Sequence, residues 1–297
     1  MPTLKQLKYL CSVAEHLHFG HAAEACFISQ SSLSTGIAEL EKSLGVKLIE
    51  RTNKKVHLTR AGIHITEKAR AVLAQVDDLI YLAKTAQTPF SMEMHMGIIP
   101  TLAPYVLPQV INEIQSQYPD FKLFVREDLS RHLIDQLQRG ELDVLLLALP
   151  YPAEDVTQHH IFNDELVLAY SKQNPISRKD KLFTSDLRHL DFVLLEDGHC
   201  LREHSMDACK IKPHDIYIRY EATSLNTVIQ MVANDIGVSI LPKMAINMQT
   251  LDDANIAVKA FDEENINRAI GLMWRKNSSR AKEFELLASL IKYSIGR

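Results

Sequence analysis

The sequence lacks long apolar runs and has few cysteines. No stretch reaches the roughly eighteen consecutive apolar residues of a membrane-spanning helix, which excludes a protein built on such helices. Residues 1–6 lack the apolar core of a secretory signal, so we expect a cytoplasmic protein. Four cysteines in 297 residues argue against structural disulfides there, because the cytoplasm is reducing. Any disulfide should therefore be transient. Internal repeats and low-complexity segments are also absent.

Length and charge indicate two parts with different partners. The chain is long enough for about two domains, and its 46% of apolar residues can fill sizeable cores. Residues 1–88 carry 11 basic and 8 acidic side chains, a net charge of +3. Because the whole chain has a net charge of −4, the remainder carries −7. The N-terminal part can therefore meet phosphates, whereas the acidic remainder is not expected to bind nucleic acid.

The N-terminal pattern predicts a winged helix-turn-helix. Apolar residues recur with a helical period over 4–17, and a short helix over 21–26 precedes a longer one over 30–44, with Ser29 as its N-cap. Residues 52–59 predict a two-stranded wing with a basic turn. The second helix of such a motif enters the major groove. The predicted DNA contacts are Gln30, Ser31, Ser34 and Thr35 of that helix, and Arg51, Lys54 and Lys55 near the wing.

The rest of the chain predicts a linker and an α/β domain. A long helix over 60–84, capped by Thr59, suits dimerisation, and residues 85–93 indicate a hinge. Strands and helices then alternate, and the apolar strand over 143–149 indicates a sheet covered on both faces. Two such lobes suit a small-ligand cleft. The predicted parts are a winged helix-turn-helix (1–59), a linker helix (60–87) and a two-lobed effector domain (91–297, with lobes 91–162 plus 267–297 and 163–266).

One stretch of the predicted effector domain, residues 194–209, carries a candidate reactive thiol. An apolar strand end and an Asp-Gly turn precede a predicted helix over 201–208. Cys200 falls near the N-terminus of this helix, where unpaired N–H groups and the helix dipole favour an anion. His199 and Arg202 flank it. We therefore expect a lowered pKa and a useful thiolate fraction at Cys200.

A second cysteine, Cys209, lies near the other end of the same predicted helix. Nine helical residues span about 13 Å, whereas bridged cysteines have Cα atoms closer than about 7 Å. A disulfide would therefore require the helix to unwind. Two other interpretations stay open: unrelated buried thiols, or a zinc site, although the spacing matches no common zinc-finger pattern. The zinc-ligand candidates are His199, Cys200, His204 and Cys209.

Several N-terminal motifs follow one another in a fixed order. They are Phe-Gly-His-Ala-Ala-Glu at 19–24, Gln-Ser-Ser-Leu-Ser at 30–34, Ile-Ala-Glu-Leu-Glu at 37–41, Leu-Ile-Glu-Arg at 48–51 and Leu-Thr-Arg-Ala-Gly at 58–62. This set resembles the LysR-type transcriptional regulators. The resemblance implies promoter DNA and RNA polymerase as partners, and DNA binding as a homodimer or homotetramer. It also implies an effector domain shaped like a periplasmic binding protein.

Motifs of the effector part narrow the resemblance. Gly-Ile-Ile-Pro-Thr at 97–101, Leu-Leu-Glu-Asp-Gly-His-Cys-Leu-Arg at 194–202, the cysteine at 209, Ala-Thr-Ser-Leu at 222–225 and Ile-Gly-Leu at 270–272 are similar to the hydrogen-peroxide-sensing members of this family. The resemblance implies that peroxide oxidises Cys200, the peroxidatic thiol, to a sulfenic acid. Cys209, the resolving thiol, then forms a reversible disulfide with it. The implied helpers of the peroxide site are Thr101, Ser130, His199, Arg202 and Arg268.

The same resemblance implies the consequences of oxidation. The disulfide should change the oligomer arrangement and the binding to promoters of antioxidant genes, and a thiol reductant of the glutaredoxin or thioredoxin type should reverse it. No cofactor, metal or membrane partner is expected. Cys11 and Cys26 lie in apolar helical contexts and are expected to be buried, inert thiols.

Two other functions stay open. A LysR-type regulator with incidental cysteines would sense a small organic ligand in the cleft between the lobes. A thiol peroxidase would consume peroxide steadily, but a fused winged helix-turn-helix makes little sense for such an enzyme. We therefore expect a regulator and not an enzyme.

Overall fold

The computed structural model describes residues 1–51, 56–84, 89–246 and 255–296. The chain divides into two compact units, of which the first comprises residues 1–88 with the short segment 138–141 and the second comprises the rest. The predicted fold class, a helical N-terminal part followed by a two-lobed α/β part, is confirmed. None of the helices in the described ranges combines the length and apolarity needed to cross a membrane.

The first unit contains the predicted helix-turn-helix and wing strands. Its elements are α1 (Leu4–His16), α2 (Phe19–Ala25), α3 (Gln30–Leu44), β1 (Ile49–Arg51), β2 (Val56–Leu58) and α4 (Arg60–Lys84). Strands β1 and β2 pair antiparallel, and α4 covers the predicted linker helix. The predicted basic turn of the wing at 52–55 lies outside the described residues, as do residues 85–88 of the predicted hinge.

Local capping explains where the first helices begin and end. Thr3 and Gln6 form a reciprocal capping box at the start of α1, with hydrogen bonds of 3.0 and 3.3 Å. The Ser29 hydroxyl accepts the Ser32 N–H at 3.2 Å, which confirms the predicted N-cap of α3. Helix α3 ends at Gly45, whose φ of +70° suits a residue without a Cβ. These short-range signals set the turn between α2 and α3.

Glu41 connects helix α3 to the wing. Its carboxylate accepts the N–H groups of Leu48 at 2.9 Å and Ile49 at 3.2 Å, and Lys47 Nζ at 2.7 Å. Burial by itself raises the pKa of Glu41, but the hydrogen bonds from these three residues outweigh it and lower that pKa below the ordinary value. The ionised carboxylate therefore stabilises the contact between α3 and the start of β1.

We expect Glu41→Gln to destabilise folding by about 1–3 kcal/mol, because an amide replaces a charged acceptor of two buried N–H groups. The folded-state pKa lies below the unfolded value, so this stabilisation is present above a pH of about 4.5 and is lost as the pH falls through the folded-state pKa. Denaturant unfolding at pH 7, 5 and 4 should show that the difference in the free energy of unfolding between wild type and variant becomes smaller as the pH falls. Exposed Glu39→Gln is the control, and a gap independent of pH would contradict the assignment.

The second unit contains two sheets flanked by helices. Its strands are β3 (Met94–Ile98), β4 (Leu123–Glu127), β5 (Val144–Leu149), β6 (Val156–Ser171), β7 (Asp191–Leu195), β8 (Tyr217–Ala222), β9 (Ser239–Pro242), β10 (Ile256–Ala260) and β11 (Asn267–Arg275). Its helices are α5 (Ala103–Gln117), α6 (Ser130–Arg139), α7 (Cys200–Ala208), α8 (Leu225–Ala233) and α9 (Ala281–Ile295). The larger sheet has the order β10-β6-β11-β5-β3-β4, with β9 also on β6, and β7 pairs in parallel with β8.

Strand β6 is longer than the sequence pattern predicts. The apolar run over 166–170 marks only its second part, because β6 begins ten residues earlier at Val156. Its first part pairs only with β11, and its second part pairs with β9 and β10. The first part carries polar side chains at its exposed positions, so it lacks the apolar run that marks a buried strand. Several side chains of β8 and β10 also stay exposed or half-buried, so neither segment has the pattern of a buried strand.

The second unit has two hydrophobic cores, one for each lobe. The first is built on β3, β5 and β11 with α5, α6 and α9, and the second on β7, β9 and α8 with parts of β6. Helix α7 contributes to both: Cys200 packs in the first core, whereas Leu201 and Cys209 pack in the second. The stretch singled out in the sequence is therefore a helix held between two lobes.

Candidate functional site

The segment before α7 places Cys200 at the first position of the helix. Strand β7 ends at Leu195, and Gly198 then turns the chain with a φ of +100°, a conformation that residues with a Cβ rarely adopt. His199 occupies the N-cap position, and Cys200 opens the helix. The predicted strand, turn and helix are confirmed, and the thiol lies where the prediction placed it.

The predicted lowering of the Cys200 pKa is wrong. The side chain is only 4% exposed, and this burial raises the pKa of the thiol. The Ser130 hydroxyl, the charge of Arg268 and the backbone of Ala148 act in the opposite direction but do not outweigh the lost hydration. The helix N-terminus is therefore not enough to make Cys200 a thiolate in the reduced protein.

A buried arginine organises the polar side of the site. Arg268 on β11 donates from Nη1 to Thr101 Oγ1 at 2.8 Å and from Nη2 to the Thr101 carbonyl at 3.1 Å. Its Nε and Nη2 also donate to Asp164 Oδ2 at 3.0 and 2.9 Å. Asp164 lies directly opposite Arg268 in the pairing of β6 with β11. The sheet register thus fixes a positive charge beside Thr101 and near Cys200.

Ser130 supplies a buried hydroxyl next to this charge. It opens helix α6, and its side chain faces the Cys200 thiol. Within the described residues, Ser130 Oγ makes no well-formed hydrogen bond with any protein atom, although Ser130 is only 1% exposed. Buried hydroxyls normally have a partner. Ser130 and Thr101 therefore offer polar groups to a small polar molecule beside the thiol.

Two of the predicted helpers have partners other than the thiol. The Arg202 guanidinium pairs with Asp197 Oδ1 at 3.3 Å and with Glu221, and it donates to the Leu195 carbonyl at 3.1 Å. Burial lowers the pKa of His199, and its ring hydrogen-bonds the backbone of Thr223. Both residues thus hold the start of α7 against neighbouring segments. Ser130 and Arg268 lie near the Cys200 thiol and Thr101 contacts Arg268, whereas Arg202 and His199 have other partners.

Two residues near Cys200 were not among the predicted helpers. Asp164 is buried and orients Arg268, but nothing in its sequence context marks it. His204 lies four residues after Cys200, on the same face of α7, and this spacing was the available signal. Burial lowers the pKa of His204, and the charge of Arg268 lowers it further. His204 is thus a neutral imidazole close to the site at pH 7.

Cys209 lies in a different environment from Cys200. It caps the C-terminal end of α7, is 2% exposed and packs in the core of the second lobe. Burial, with a smaller contribution from Glu263, raises the pKa of its thiol to about 12. Both cysteines carry free thiols, and α7 separates them by about 13 Å of helical rise. Cys209 cannot react with Cys200 while this helix is intact.

The remaining interpretations of the cysteines are a metal site and, for Cys11 and Cys26, inert thiols. Within the described residues, no group of three or more His, Cys, Asp or Glu side chains is placed to hold a metal ion. Cys11 and Cys26 are half-buried, not buried as predicted. Burial raises the pKa of Cys11 to about 11, as expected for an inert thiol.

Comparison with known proteins identifies the family. Residues 4–63 match the model of the bacterial regulatory helix-turn-helix proteins of the lysR family, and residues 88–294 match the LysR substrate binding domain. The chain belongs to the LysR family of transcriptional regulators. The two matches correspond to the helix-turn-helix in the first unit and to the two-lobed part of the second.

The relatives of this LysR regulator include proteins named for hydrogen peroxide, and one relative whose name does not mention peroxide. It is 37% identical to a probable hydrogen peroxide-inducible genes activator of Streptomyces viridosporus, over 98% of this chain and 94% of that protein. It is also 37% identical to the HTH-type transcriptional regulator EstR of Acinetobacter baylyi, over 98% of this chain and 97% of that protein.

Solved structures of OxyR proteins resemble this LysR regulator over its length. A full-length OxyR of Pseudomonas aeruginosa with a cysteine-to-aspartate substitution has a TM-score of 0.82 and 31% identity, and covers 98% of this chain and 94% of that one. A cysteine-to-serine mutant of Corynebacterium glutamicum OxyR with bound hydrogen peroxide has a TM-score of 0.69 and 35% identity, covering 100% of this chain and 93% of that one.

The recognition helix of this LysR regulator presents short polar side chains. Gln30, Ser31 and Thr35 are exposed on α3, whereas Ser34 is half-buried. The hydroxyls of Ser29 and Ser31 lie 3.0 Å apart at the start of the helix. Arg51 ends β1, but its side chain, like the whole of Lys54 and Lys55, lies outside what the structure describes. The roles of these residues in DNA binding stay predictions.

Proposed function

We propose that this chain is a cytoplasmic regulator that binds promoter DNA through its helix-turn-helix and responds to hydrogen peroxide at Cys200. The observation that carries the proposal is the buried Cys200 thiol facing the buried hydroxyl of Ser130, at the start of a helix shared by two lobes. The Ser130 hydroxyl and the Arg268 guanidinium, which act on Cys200, and Thr101, which Arg268 contacts, suit a small neutral oxidant with two hydroxyl groups. The names of several relatives and structural neighbours support the same ligand.

The chemistry requires two steps and no cofactor. Cys200 Sγ attacks one peroxide oxygen, the O–O bond breaks, and the sulfur becomes a sulfenic acid as one water leaves. Cys209 Sγ then attacks Cys200 Sγ, a disulfide forms and a second water leaves. Hydroxyls of Thr101 and Ser130 orient the peroxide, and Arg268 stabilises the departing oxygen. A dithiol reductant of the glutaredoxin or thioredoxin type returns both cysteines to thiols.

The disulfide acts by changing the structure of α7. Closing a loop of about ten residues contributes only about 2.7 kcal/mol through chain entropy, whereas a switch from 1:99 to 99:1 needs about 5.5 kcal/mol. The rest has to come from the redox reaction and from the repacking of residues 200–209. Because the two thiols pack in separate cores, bond formation extracts at least one of them and unwinds the helix.

An exposed strand connects α7 to the surface. Arg202 of α7 pairs with Glu221 on β8, so unwinding of α7 removes a constraint on that strand. Strand β8 forms the edge of its two-stranded sheet and exposes large apolar side chains, with Tyr217 60% and Tyr220 44% accessible. Such an edge suits pairing with a second copy of the chain. A changed dimer or tetramer would alter the spacing of the DNA-binding helices and contact with RNA polymerase.

The direct test is a peroxide titration of the full chain on a target promoter. Mass mapping of the thiols should show a Cys200–Cys209 disulfide at the same peroxide concentration at which the DNA footprint changes length. A thiol reductant should restore both the thiols and the original footprint. A footprint that changes while both cysteines stay reduced would exclude the proposal.

A second candidate function is sensing of a small organic ligand between the lobes. The observation that favours it is the match of residues 88–294 to the LysR substrate binding domain, together with a relative, EstR, whose name does not mention peroxide and whose identity of 37% equals that of the peroxide-linked relative. In this case peroxide would leave promoter binding unchanged, and a metabolite would alter it even in a Cys200→Ser variant. The same titration therefore separates the two functions.

The wing lysines provide a test of the DNA-binding part. We expect Lys54→Ala with Lys55→Ala to weaken binding to all DNA sequences alike, because these side chains are predicted to contact phosphates and not bases. The slope of log K against log salt should become less negative by about 1.8, the value for two lost phosphate contacts. Filter binding across a salt series measures this. A loss confined to one operator base would contradict the wing prediction.

A further inference from the structure

His204 is a half-buried imidazole that the steps above leave without a role. It lies one helical turn after Cys200 in α7, so the two side chains share one face of the helix. The Arg268 guanidinium lies close enough to both for its charge to lower the pKa of each. Cys200 and His204 therefore share one face of α7, Arg268 lies near both, and Cys200 packs in the core of the first lobe.

The proposed oxidation of Cys200 needs a proton acceptor at this place. Because burial raises the pKa of Cys200, the reduced protein holds a thiol and not the reactive thiolate. The two flanking residues that the sequence suggested as helpers have other partners: Arg202 pairs with Asp197 and Glu221, and the His199 ring bonds to Thr223. A group on the Cys200 face must take the proton and later return it to oxygen.

We propose that His204 accepts the proton of the Cys200 thiol and passes it to the departing oxygen of hydrogen peroxide, a step that rests on the function proposed above. The Sγ–O bond forms as the O–O bond breaks, so sulfur loses two electrons and peroxide gains them. The thiol proton moves to the imidazole and then to the distal oxygen, which leaves as water. The proximal oxygen keeps its proton in the sulfenic acid, and the imidazole is neutral again.

The charges around His204 suit this role. Arg268 on β11 faces it, with Asp164 on β6 as the partner of that arginine, and Asp207 lies on its own helix. Strand β5 and residues 192–195 of β7, which also pack against α7, are apolar. Burial and Arg268 lower the pKa of His204, and Asp207 offsets this only in part. The imidazole is thus neutral at pH 7 and loses its acceptor nitrogen on acidification.

The test compares His204→Gln with its parent in the full-length Cys209→Ser protein, which stops at the sulfenic acid. Trapping with dimedone and mass spectrometry gives the rate of Cys200 oxidation by hydrogen peroxide. We expect His204→Gln to lower that rate roughly 100-fold at pH 7. The oxidation rate of the parent should fall in a step as the pH drops through the pKa of His204. The rate of the variant should lack this step and should rise with pH only as the thiolate fraction of Cys200 rises. Free imidazole should restore part of the rate to His204→Ala.

Exposed His214 provides the matched control, because His214→Gln should react like the parent at every pH. A His204→Gln protein that reacts at the parental rate would overturn the proposal. A slower protein with an unchanged pH profile and no rescue by imidazole would overturn it as well, since His204 would then act only through packing. If the parent itself gives no sulfenic acid at Cys200, the function proposed above fails and this step fails with it.

Discussion

Cys200→Ser is expected to abolish the response of promoter binding to hydrogen peroxide. A serine hydroxyl does not attack peroxide at neutral pH and cannot form a sulfenic acid, so neither step of the proposed reaction begins. The rate of the peroxide-dependent footprint change should fall at least about 100-fold, to below detection. DNA binding of the reduced form should stay close to that of wild type, because the site lies outside the DNA-binding unit. Footprinting before and after peroxide addition measures both quantities.

The chain offers its own controls for this result. Cys11 and Cys26 are half-buried thiols of the first unit, and the pKa of Cys11 is raised to about 11. Cys11→Ser and Cys26→Ser should therefore respond to peroxide as wild type does. A normal peroxide response of Cys200→Ser would show that Cys200 is not the sensor. Loss of the response in Cys11→Ser or Cys26→Ser would place the sensing thiol in the first unit and contradict the proposal.

Oxidation is expected to unwind helix α7. The helix holds Cys200 and Cys209 about 13 Å apart along its axis, whereas a disulfide needs Cα atoms within about 7 Å. The backbone hydrogen bonds over residues 201–209 must therefore open, and Leu201 loses part of its packing in the second core. Amide hydrogen exchange of this segment should accelerate about 100-fold or more in the oxidised protein. Hydrogen-exchange mass spectrometry of both redox forms measures it.

A variant that stops after the first step separates oxidation from unwinding. Cys209→Ser should accumulate the Cys200 sulfenic acid under peroxide, yet keep α7 protected, because no bond pulls the ends of the helix together. Helix α8, which packs in the same lobe, should exchange equally in every form and serves as the internal reference. Equal protection of α7 in the reduced and disulfide forms would mean that the redox pair does not drive a conformational change.

These predictions depend on the electrostatic environment of Cys200, where local reasoning was wrong. The position of the thiol at a helix N-terminus is visible in the sequence and favours a thiolate. Burial has the larger effect and raises the pKa, and it comes from segments far away in the chain. Large separations in sequence also make two contacts of Arg268 unpredictable from local patterns. Thr101 is 167 residues away from Arg268 in the chain, and Asp164 is 104 residues away.

Strand prediction shows the same division between local and long-range effects. The strand over 144–149 was found because both its faces are buried and every residue is apolar. Within the described residues, the first half of β6 and the whole of β8 each pair with one strand only and carry exposed side chains, so no apolar run marks them in the sequence. Whether a polar segment becomes an edge strand depends on the strand beside it. The residue pattern within the segment gives no information about that neighbour.

The sequence by itself determined the helix-turn-helix, the long helix over 60–84, the alternating α/β order and the helix predicted over 201–208, which the structure begins one residue earlier at Cys200. Helical period, capping residues and turn residues act within a few positions of one another, so a local pattern is sufficient for them. Only the tertiary structure decided that Cys200 and Cys209 lie in different cores, that burial keeps Cys200 a thiol, and that Arg268 contacts Thr101 and Asp164. Burial and charge sum over all neighbours in space, and the sheet register brings those neighbours together from distant parts of the chain.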